Sequence, residues 1–443
     1  MVLALAQAGE PPVASPAPAQ EAGTATVVTK GADLDLLEAV RAIAGKLEQL
    51  RGERFRRRPI AVRAPEMMRG VAAEIRAFNV LPREKLEARG RAWADLGLGQ
   101  ERSPELLLRT LAADLEGIAF DPAGNRLLVA PERLTDQDFV PRETDDPDTT
   151  VLMMTGVRPD EPLVAHLLTH VRQLERDGAD FLEPTTDRLL AHAAWNEGEA
   201  NLVAMRYLYQ GMGVADAVLG LDPDPRDVLG GLLVPSALDA LPWVEATFAE
   251  FIYLEGFALA AECYVAGGWP ALERAMARQR TTSQMMHPGR PLPATPDLEP
   301  GDPGIAGLQL VDVDSLGEQA VFALISALTG KDNLGLQAGD GWEADRLYRW
   351  EFADGERRGD GVTLWLTAWR DAEQAADFVY AMGRALRARF AEAELDTAEG
   401  GAQRLEAGGR LFLLEREGSR VRLRVAPPEL EAALEAGGEP KPD

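Results

Sequence analysis

Two histidines four residues apart have the spacing of a metal-binding pair. The chain has only four histidines, and His166 and His170 lie in the largely apolar segment 163–171. On a helix, side chains at positions i and i+4 project from one face, with Cβ atoms about 5–6 Å apart. Two imidazoles at that separation can bind one zinc ion at about 2.0–2.1 Å each. The spacing therefore predicts a metal site, although two histidines packed in a core beside hydrogen-bonding neighbours have the same pattern.

The residue after the first histidine decides which chemistry such a site could perform. In the H-E-x-x-H pattern of zinc peptidases, a glutamate at this position acts as the general base. Here the segment reads H-L-L-T-H, and Leu167 occupies the position of the glutamate. Peptide hydrolysis needs a group that takes a proton from the attacking water and returns it to the leaving amine. Leu167 can do neither, whereas zinc binding itself does not require that glutamate.

Several segments, in order along the chain, resemble one known family. Val164 to Arg176 resembles the A-H-E-L-T-H-A-L-Q-D-Q segment of a family of uncharacterised bacterial secreted proteins of the gluzincin (HEXXH zinc metallopeptidase) type. The other similar segments are N-E-G-E-A-N at 196–201, Y-L-E-G-F at 253–257, G-G-W at 267–269, T-S-Q-M-M-H-P at 282–288 and G-W-E-A-D at 341–345. The resemblance covers most of residues 33 to 390, with a degenerate motif at the histidine pair.

The resemblance implies a set of site residues. His166 and His170 match the two histidine ligands of a zinc ion, and Glu197 matches the downstream carboxylate ligand. Asn201, four residues further along the same helix, matches the position of a group that orients a ligand histidine by a hydrogen bond. His287 matches a histidine that is a candidate oxyanion donor, although the residue four positions before it departs from the glutamate of the family.

Three hypotheses about function remain open on the sequence. The first is a catalytically impaired pseudopeptidase that binds a peptide or protein partner, with or without zinc. The second is an active zinc-dependent hydrolase in which another carboxylate, such as Glu199 or Glu255, handles the proton. The third is a metal-free scaffold or binding protein of the cell envelope, in which the histidines are packing groups. We take the first as the leading hypothesis because Leu167 lacks an ionisable group.

The surrounding sequence predicts an α+β fold that positions these residues on helices. Apolar periodicity predicts helices at 162–176, 186–209 and 247–265, and a mostly helical region from 65 to about 115. Two short apolar runs, 117–120 and 126–129, flank a D-P-A-G-N turn and predict a strand pair, with 149–155 as a third candidate strand. We therefore predict a predominantly helical, zincin-like domain with a small antiparallel sheet.

Composition divides the chain into four regions. Residues 1–32 are predicted to be a signal remnant and disordered linker, 33–290 the zincin-like domain, 291–305 a Pro-rich linker and 306–443 an α+β C-terminal region. In the last region, helices are predicted from Ser315 to Leu328 and over 371–389. Strands are predicted near 347–352, 362–369, 410–415 and 420–425.

The charge and composition limit the partners. The chain has 443 residues and a net charge of −26, so phosphate backbones and anionic lipid surfaces are repelled and nucleic acid is excluded as an expected partner. The sequence contains no run of 18 consecutive apolar residues, which is the pattern that predicts a membrane span. Cys263, the only cysteine, is predicted to be a small buried hydrophobic residue. Val2 to Ala8 resembles the tail of a truncated signal peptide, which predicts a secreted or periplasmic location; a disordered apolar N-terminus is the alternative.

Overall fold

The computed structural model describes twelve stretches of the chain, to which all structural statements here apply. They are 32–112, 117–134, 157–158, 160–177, 185–210, 241–278, 280–290, 298–301, 303–353, 357, 359–397 and 402–436. The predicted strand at 149–155 lies outside them.

The N-terminal part combines four helices with a three-stranded sheet. In chain order, its elements are α1 (Ala32–Arg51), β1 (Ile60–Arg63), α2 (Glu66–Val80), α3 (Arg83–Leu96), α4 (Ser103–Ala112), β2 (Ile118–Asp121) and β3 (Arg126–Val129). The helical region and the strand pair agree with the predictions. The helix α3 ends where Gly97 adopts a left-handed conformation at φ 88°, which a glycine accommodates without steric cost.

The small sheet is mixed, so the predicted antiparallel arrangement is wrong for one of its two strand pairs. The strand order is β1-β3-β2. Strands β2 and β3 form an antiparallel pair, whereas β1 runs parallel to β3, with Ile60 opposite Arg126. Parallel neighbours need a long crossover, and the helices α2 to α4 supply it between β1 and the β2–β3 pair. Strand β1 was not predicted because it has only four residues and follows an arginine-rich stretch.

The central part consists of long helices that carry the candidate site. They are α5 (Asp160–Asp177), α6 (Thr186–Gln210), α7 (Trp243–Glu250), a π-helical turn (Phe251–Glu255), α8 (Gly256–Arg278) and α9 (Thr282–Met286). The predicted helix 247–265 belongs to a longer run that bends at Gly267 and Gly268, where Gly268 has φ 67°. A π-helical turn inserts one extra residue per turn and is frequent at functional sites.

The C-terminal part is a seven-stranded antiparallel sheet with helices. Its elements are β4 (Leu308–Asp314), α10 (Glu318–Thr329), α11 (Asp332–Gly339), β5 (Trp342–Phe352), β6 (Gly361–Trp369), α12 (Ala372–Arg389), β7 (Asp396–Thr397), β8 (Gln403–Ala407), β9 (Arg410–Glu417), β10 (Arg420–Ala426) and α13 (Glu431–Ala436). The strand order is β4-β5-β6-β10-β9-β8-β7. The helix predicted from Ser315 begins later, after Gly317, because Ser315 donates its hydroxyl to Asp345 instead of capping the helix.

Buried polar contacts join the C-terminal sheet to the helices before it. Arg349 of β5 is 1 % exposed and contacts Asp95 of α3 at 2.7 Å. Arg89 of α3 lies 3.0 Å from Asp312 of β4. Within the predicted Pro-rich linker, the carbonyl of Leu298 accepts a hydrogen bond from Tyr348. One continuous apolar core also includes residues from both parts.

None of the helices in the described stretches has the length and apolar character that crossing a membrane requires.

Candidate metal centre

The helix α5 presents His166 and His170 to each other one turn apart. Their ring centroids are 4.7 Å apart with an interplanar angle of 79°, and their Nε2 atoms are separated by 3.0 Å. The neighbouring leucines and valines of α5 are buried in the core, which places this face of the helix inward. His166 is 3 % exposed, while His170 is partly accessible. The two Nε2 atoms therefore converge at the edge of a largely dry interior.

Glu197 of α6 completes a three-residue cluster. Its Oε2 lies 3.2 Å from Nε2 of His166, and its Oε1 lies 3.4 Å from Nε2 of His170. One candidate ligand atom from each of the three residues lies within 4.8 Å of the other two. Helix α6 packs along α5, so two elements bring together residues that are 31 positions apart in the sequence. The structure thus assembles the three side chains that the resemblance implies as ligands.

The separations within the cluster suit a tetrahedral zinc ion. Donor atoms bound at about 2.0–2.1 Å in tetrahedral geometry lie roughly 3.3–3.4 Å from each other. The two imidazole nitrogens are 3.0 Å apart, and each lies 3.2 or 3.4 Å from a different oxygen of the Glu197 carboxylate. Two imidazoles and one carboxylate also form the donor set of catalytic zinc sites that keep a fourth position open. The residues present therefore fit zinc in both type and spacing.

The electrostatics of the cluster favour the protonation states that a cation requires. Burial lowers the pKa of His166, and this effect outweighs the interaction with Glu197, which raises it. Burial alone would raise the pKa of Glu197, but the two imidazoles hold it well below its usual range. Zinc binds neutral imidazole and ionised carboxylate. A neutral His166 and an ionised Glu197 are thus the forms that coordinate zinc.

Asn201 lies beside His166, as the resemblance implies. Its side chain interacts with His166 and raises the pKa of that imidazole. Its amide nitrogen faces the carbonyl of Tyr253 at 3.5 Å. Within the described stretches, however, neither Nδ1 of His166 nor Oδ1 of Asn201 has a partner in hydrogen-bond geometry.

A second layer of polar residues supports His170, and sequence reasoning missed it. Gln173, one turn along α5, lies 2.8 Å from Nδ1 of His170 through its Oε1. Its Nε2 donates to Oε2 of Glu199 at 3.1 Å, and Glu199 in turn contacts Arg51 of α1 at 2.7 Å. Gln173 falls within the segment that resembles the gluzincin family. Its position in that segment, three residues after His170, was the signal that could have identified it. Arg51 carries no comparable signal because it ends a helix more than 100 residues away.

The carboxylates considered as substitutes for the missing base differ in their surroundings. Glu199 is 2 % exposed and is held by Arg51, Arg176 and Gln173. Both of its oxygens therefore already contact an arginine. Glu255 is exposed at the end of the π-helical turn. Neither residue belongs to the ligand cluster found among the described residues.

Leu167 and His287 occupy surroundings unlike those of a catalytic pair. Leu167 is 4 % exposed and belongs to the main apolar core. Nε2 of His287 lies 2.7 Å from Oε1 of Glu318, at the start of α10. The structure therefore pairs His287 with the C-terminal part, and it is not one of the residues grouped around His166 within the described stretches. His192 pairs with Asn196 at 2.9 Å, one turn along α6.

Comparisons with known proteins reach only the C-terminal part. A family model for a domain of unknown function (DUF8575) matches residues 308–435. No curated protein and no solved structure matches the chain. The matched segment begins at β4 and ends within α13, so it contains none of the three candidate ligands. The C-terminal 308–435 segment is thus similar to a domain of unknown function.

Proposed function

We propose that this chain is a zinc-binding, zincin-like protein that has lost the general base of peptide hydrolysis and acts by binding a peptide or protein partner. The observation that carries the proposal is the convergence of His166, His170 and Glu197, whose imidazole nitrogens lie 3.0 Å apart and 3.2 and 3.4 Å from the two carboxylate oxygens. The donor set and these separations support zinc over magnesium or calcium, which prefer oxygen ligands in larger numbers.

The protein's own residues account for binding of the ion but not for proton transfer. The two imidazoles and the carboxylate would hold zinc, which would supply a Lewis-acid centre when bound. Leu167 cannot accept or return a proton, and the carboxylate of Glu199 is engaged by Arg51 and Arg176. Loss of a positioned acid–base group costs about 10²–10⁴ in rate. We therefore expect a filled metal site without appreciable peptide turnover.

The experiment compares peptide hydrolysis by the zinc-loaded wild type with two variants at one position. Leu167→Glu adds a carboxylate where the general base is missing, and Leu167→Gln adds a side chain of the same size without one. Both bury a polar group in the core, so circular dichroism and zinc content establish that each variant folds and loads. We expect no turnover of a broad peptide library by the wild type or Leu167→Gln, and measurable, chelator-sensitive turnover by Leu167→Glu.

Two results would contradict the proposal. Chelator-sensitive hydrolysis by the wild type would show that another group transfers the proton. A folded, zinc-loaded Leu167→Glu variant as inactive as Leu167→Gln would show that the residue at 167 is not what prevents hydrolysis.

A further inference from the structure

The side-chain amide of Gln173 has only one orientation that satisfies its neighbours. One amide end lies 2.8 Å from the carbonyl oxygen of Asn196 and 3.1 Å from Oε2 of Glu199. A carbonyl and an arginine-bound carboxylate both accept hydrogen bonds, so this end must be the donating NH₂ group. The other end is therefore the oxygen Oε1, and it faces Nδ1 of His170 at 2.8 Å. Since that oxygen can only accept, Nδ1 of His170 must carry a proton.

We propose that Gln173 is a positioning residue that fixes the tautomer of His170, with the proton on Nδ1 and the lone pair on Nε2. A neutral imidazole has one protonated nitrogen, so the proton on Nδ1 leaves Nε2 free to bind a cation. That Nε2 faces His166 and Glu197 at 3.0 and 3.4 Å. The inference rests on the proposed zinc site and adds the residue that prepares one of its ligands before the ion arrives.

Buried partners hold Gln173 in place through Glu199. The carboxylate of Glu199 contacts Arg51 at 2.7 Å and Arg176 at 3.1 Å. The guanidinium of Arg51 stacks 4.1 Å from the ring centre of Trp269, whose Nε1 donates to the carbonyl of Leu50. The G-G-W segment, where α8 bends, thereby supports the carboxylate that receives the amide of Gln173. This chain of contacts gives the glycine pair and the tryptophan a role in orienting a metal ligand.

The test reads the histidine tautomers by ¹⁵N nuclear magnetic resonance of the metal-free protein in chelator. The variants His192→Ala and His287→Ala remove the other two histidine signals for assignment. We expect His170 to be protonated at Nδ1. In Gln173→Met, which keeps the size of the side chain but removes its amide, His170 should shift towards protonation at Nε2. Zinc affinity should then fall about 10–100-fold, as for other residues that orient metal ligands.

A matched control uses the same substitution at Gln374, a half-buried residue of α12. Gln374→Met should leave both the tautomers and the zinc affinity unchanged. The inference is overturned if His170 of the wild type is protonated at Nε2, or if Gln173→Met leaves its tautomer unchanged. The tautomers are read without metal, so this result is independent of zinc binding. A chain that binds no zinc would contradict the proposed function. Protonation of His170 at Nδ1 would still support the role of Gln173.

Discussion

Gly198 of α6 and Gly256 of α8 contact each other where the two helices cross. A Cβ atom added to Gly198 would lie 2.1 Å from the carbonyl oxygen of Gly256, and a Cβ atom on Gly256 would lie 2.2 Å from the carbonyl oxygen of Ala194. Only hydrogen at both positions permits this approach. Because Gly198 directly follows Glu197, the crossing also determines where that carboxylate lies relative to α5. The glycines of the N-E-G-E-A-N and Y-L-E-G-F segments therefore have a shared packing role.

Replacing Gly198 with alanine should destabilise the protein and weaken zinc binding together. The added methyl group meets backbone, so α6 and α8 must separate, and we expect the free energy of unfolding to fall by about 2–3 kcal/mol. Gly45→Ala in α1 is the control, since a Cβ there meets nothing within 4 Å. That variant should gain about 0.5–1 kcal/mol from helix propensity. Urea denaturation in chelator and zinc titration measure the two effects; equal stability of both variants would contradict the packing argument.

Removing the guanidinium group of Arg349 should destabilise the junction between the C-terminal sheet and α3. Arg349 binds Asp95 at 2.7 Å and Glu351 at 2.9 Å, and all three residues are buried. Arg349→Met leaves each carboxylate with one arginine, since Arg410 still contacts Asp95 and Arg91 still contacts Glu351. We expect a loss of about 1.5–3 kcal/mol, as for a hydrogen bond to a charged group. Arg357→Met removes an exposed pair with Glu429 and should change stability by less than about 1 kcal/mol. Urea denaturation of the two variants measures both effects. Equal urea midpoints for the two variants would contradict this prediction.

The buried carboxyl of Asp187 should make stability depend on pH. Oδ1 accepts hydrogen bonds from the backbone and hydroxyl of Thr282, at 2.8 and 2.6 Å. Burial raises the pKa of Asp187 from its ordinary 3.8 to about 7, against the lowering effect of those hydrogen bonds. Between these values the folded chain keeps a proton that the unfolded chain has released. The resulting stabilisation is complete below the unfolded pKa and is lost as the pH rises through about 7.

The variant Asp187→Asn isolates this effect, because its Oδ1 can accept both hydrogen bonds from Thr282 without becoming charged. Between pH 5 and pH 8, the wild type should lose at least about 1 kcal/mol of unfolding free energy relative to the variant. Urea denaturation of both proteins in chelator at the two pH values gives this difference. A difference that does not change with pH would mean that Asp187 is already ionised at pH 5.

The sequence predicted the helices of the site and its three candidate ligands, because a four-residue spacing on a helix constrains geometry locally. His166 and His170 needed no knowledge of the rest of the fold, and Glu197 came from the order of family-like segments. Arg51 could not be predicted, because its contact with Glu199 depends on how α1 packs against α6. The parallel pairing of β1 could not be predicted either, because a strand of four residues is too short to show apolar periodicity.

The central claim is that His166, His170 and Glu197 together hold one zinc ion. Elemental analysis of untagged protein, loaded with zinc and freed of excess ion by gel filtration, tests it most directly. The wild type and His192→Ala, whose altered histidine contacts Asn196 and is not part of the cluster, should both carry about one zinc ion per chain, as expected for a single site. His166→Ala should carry almost none while remaining folded. A wild type that retains no zinc at any loading, or a His166→Ala variant that retains as much as the wild type, would contradict the account.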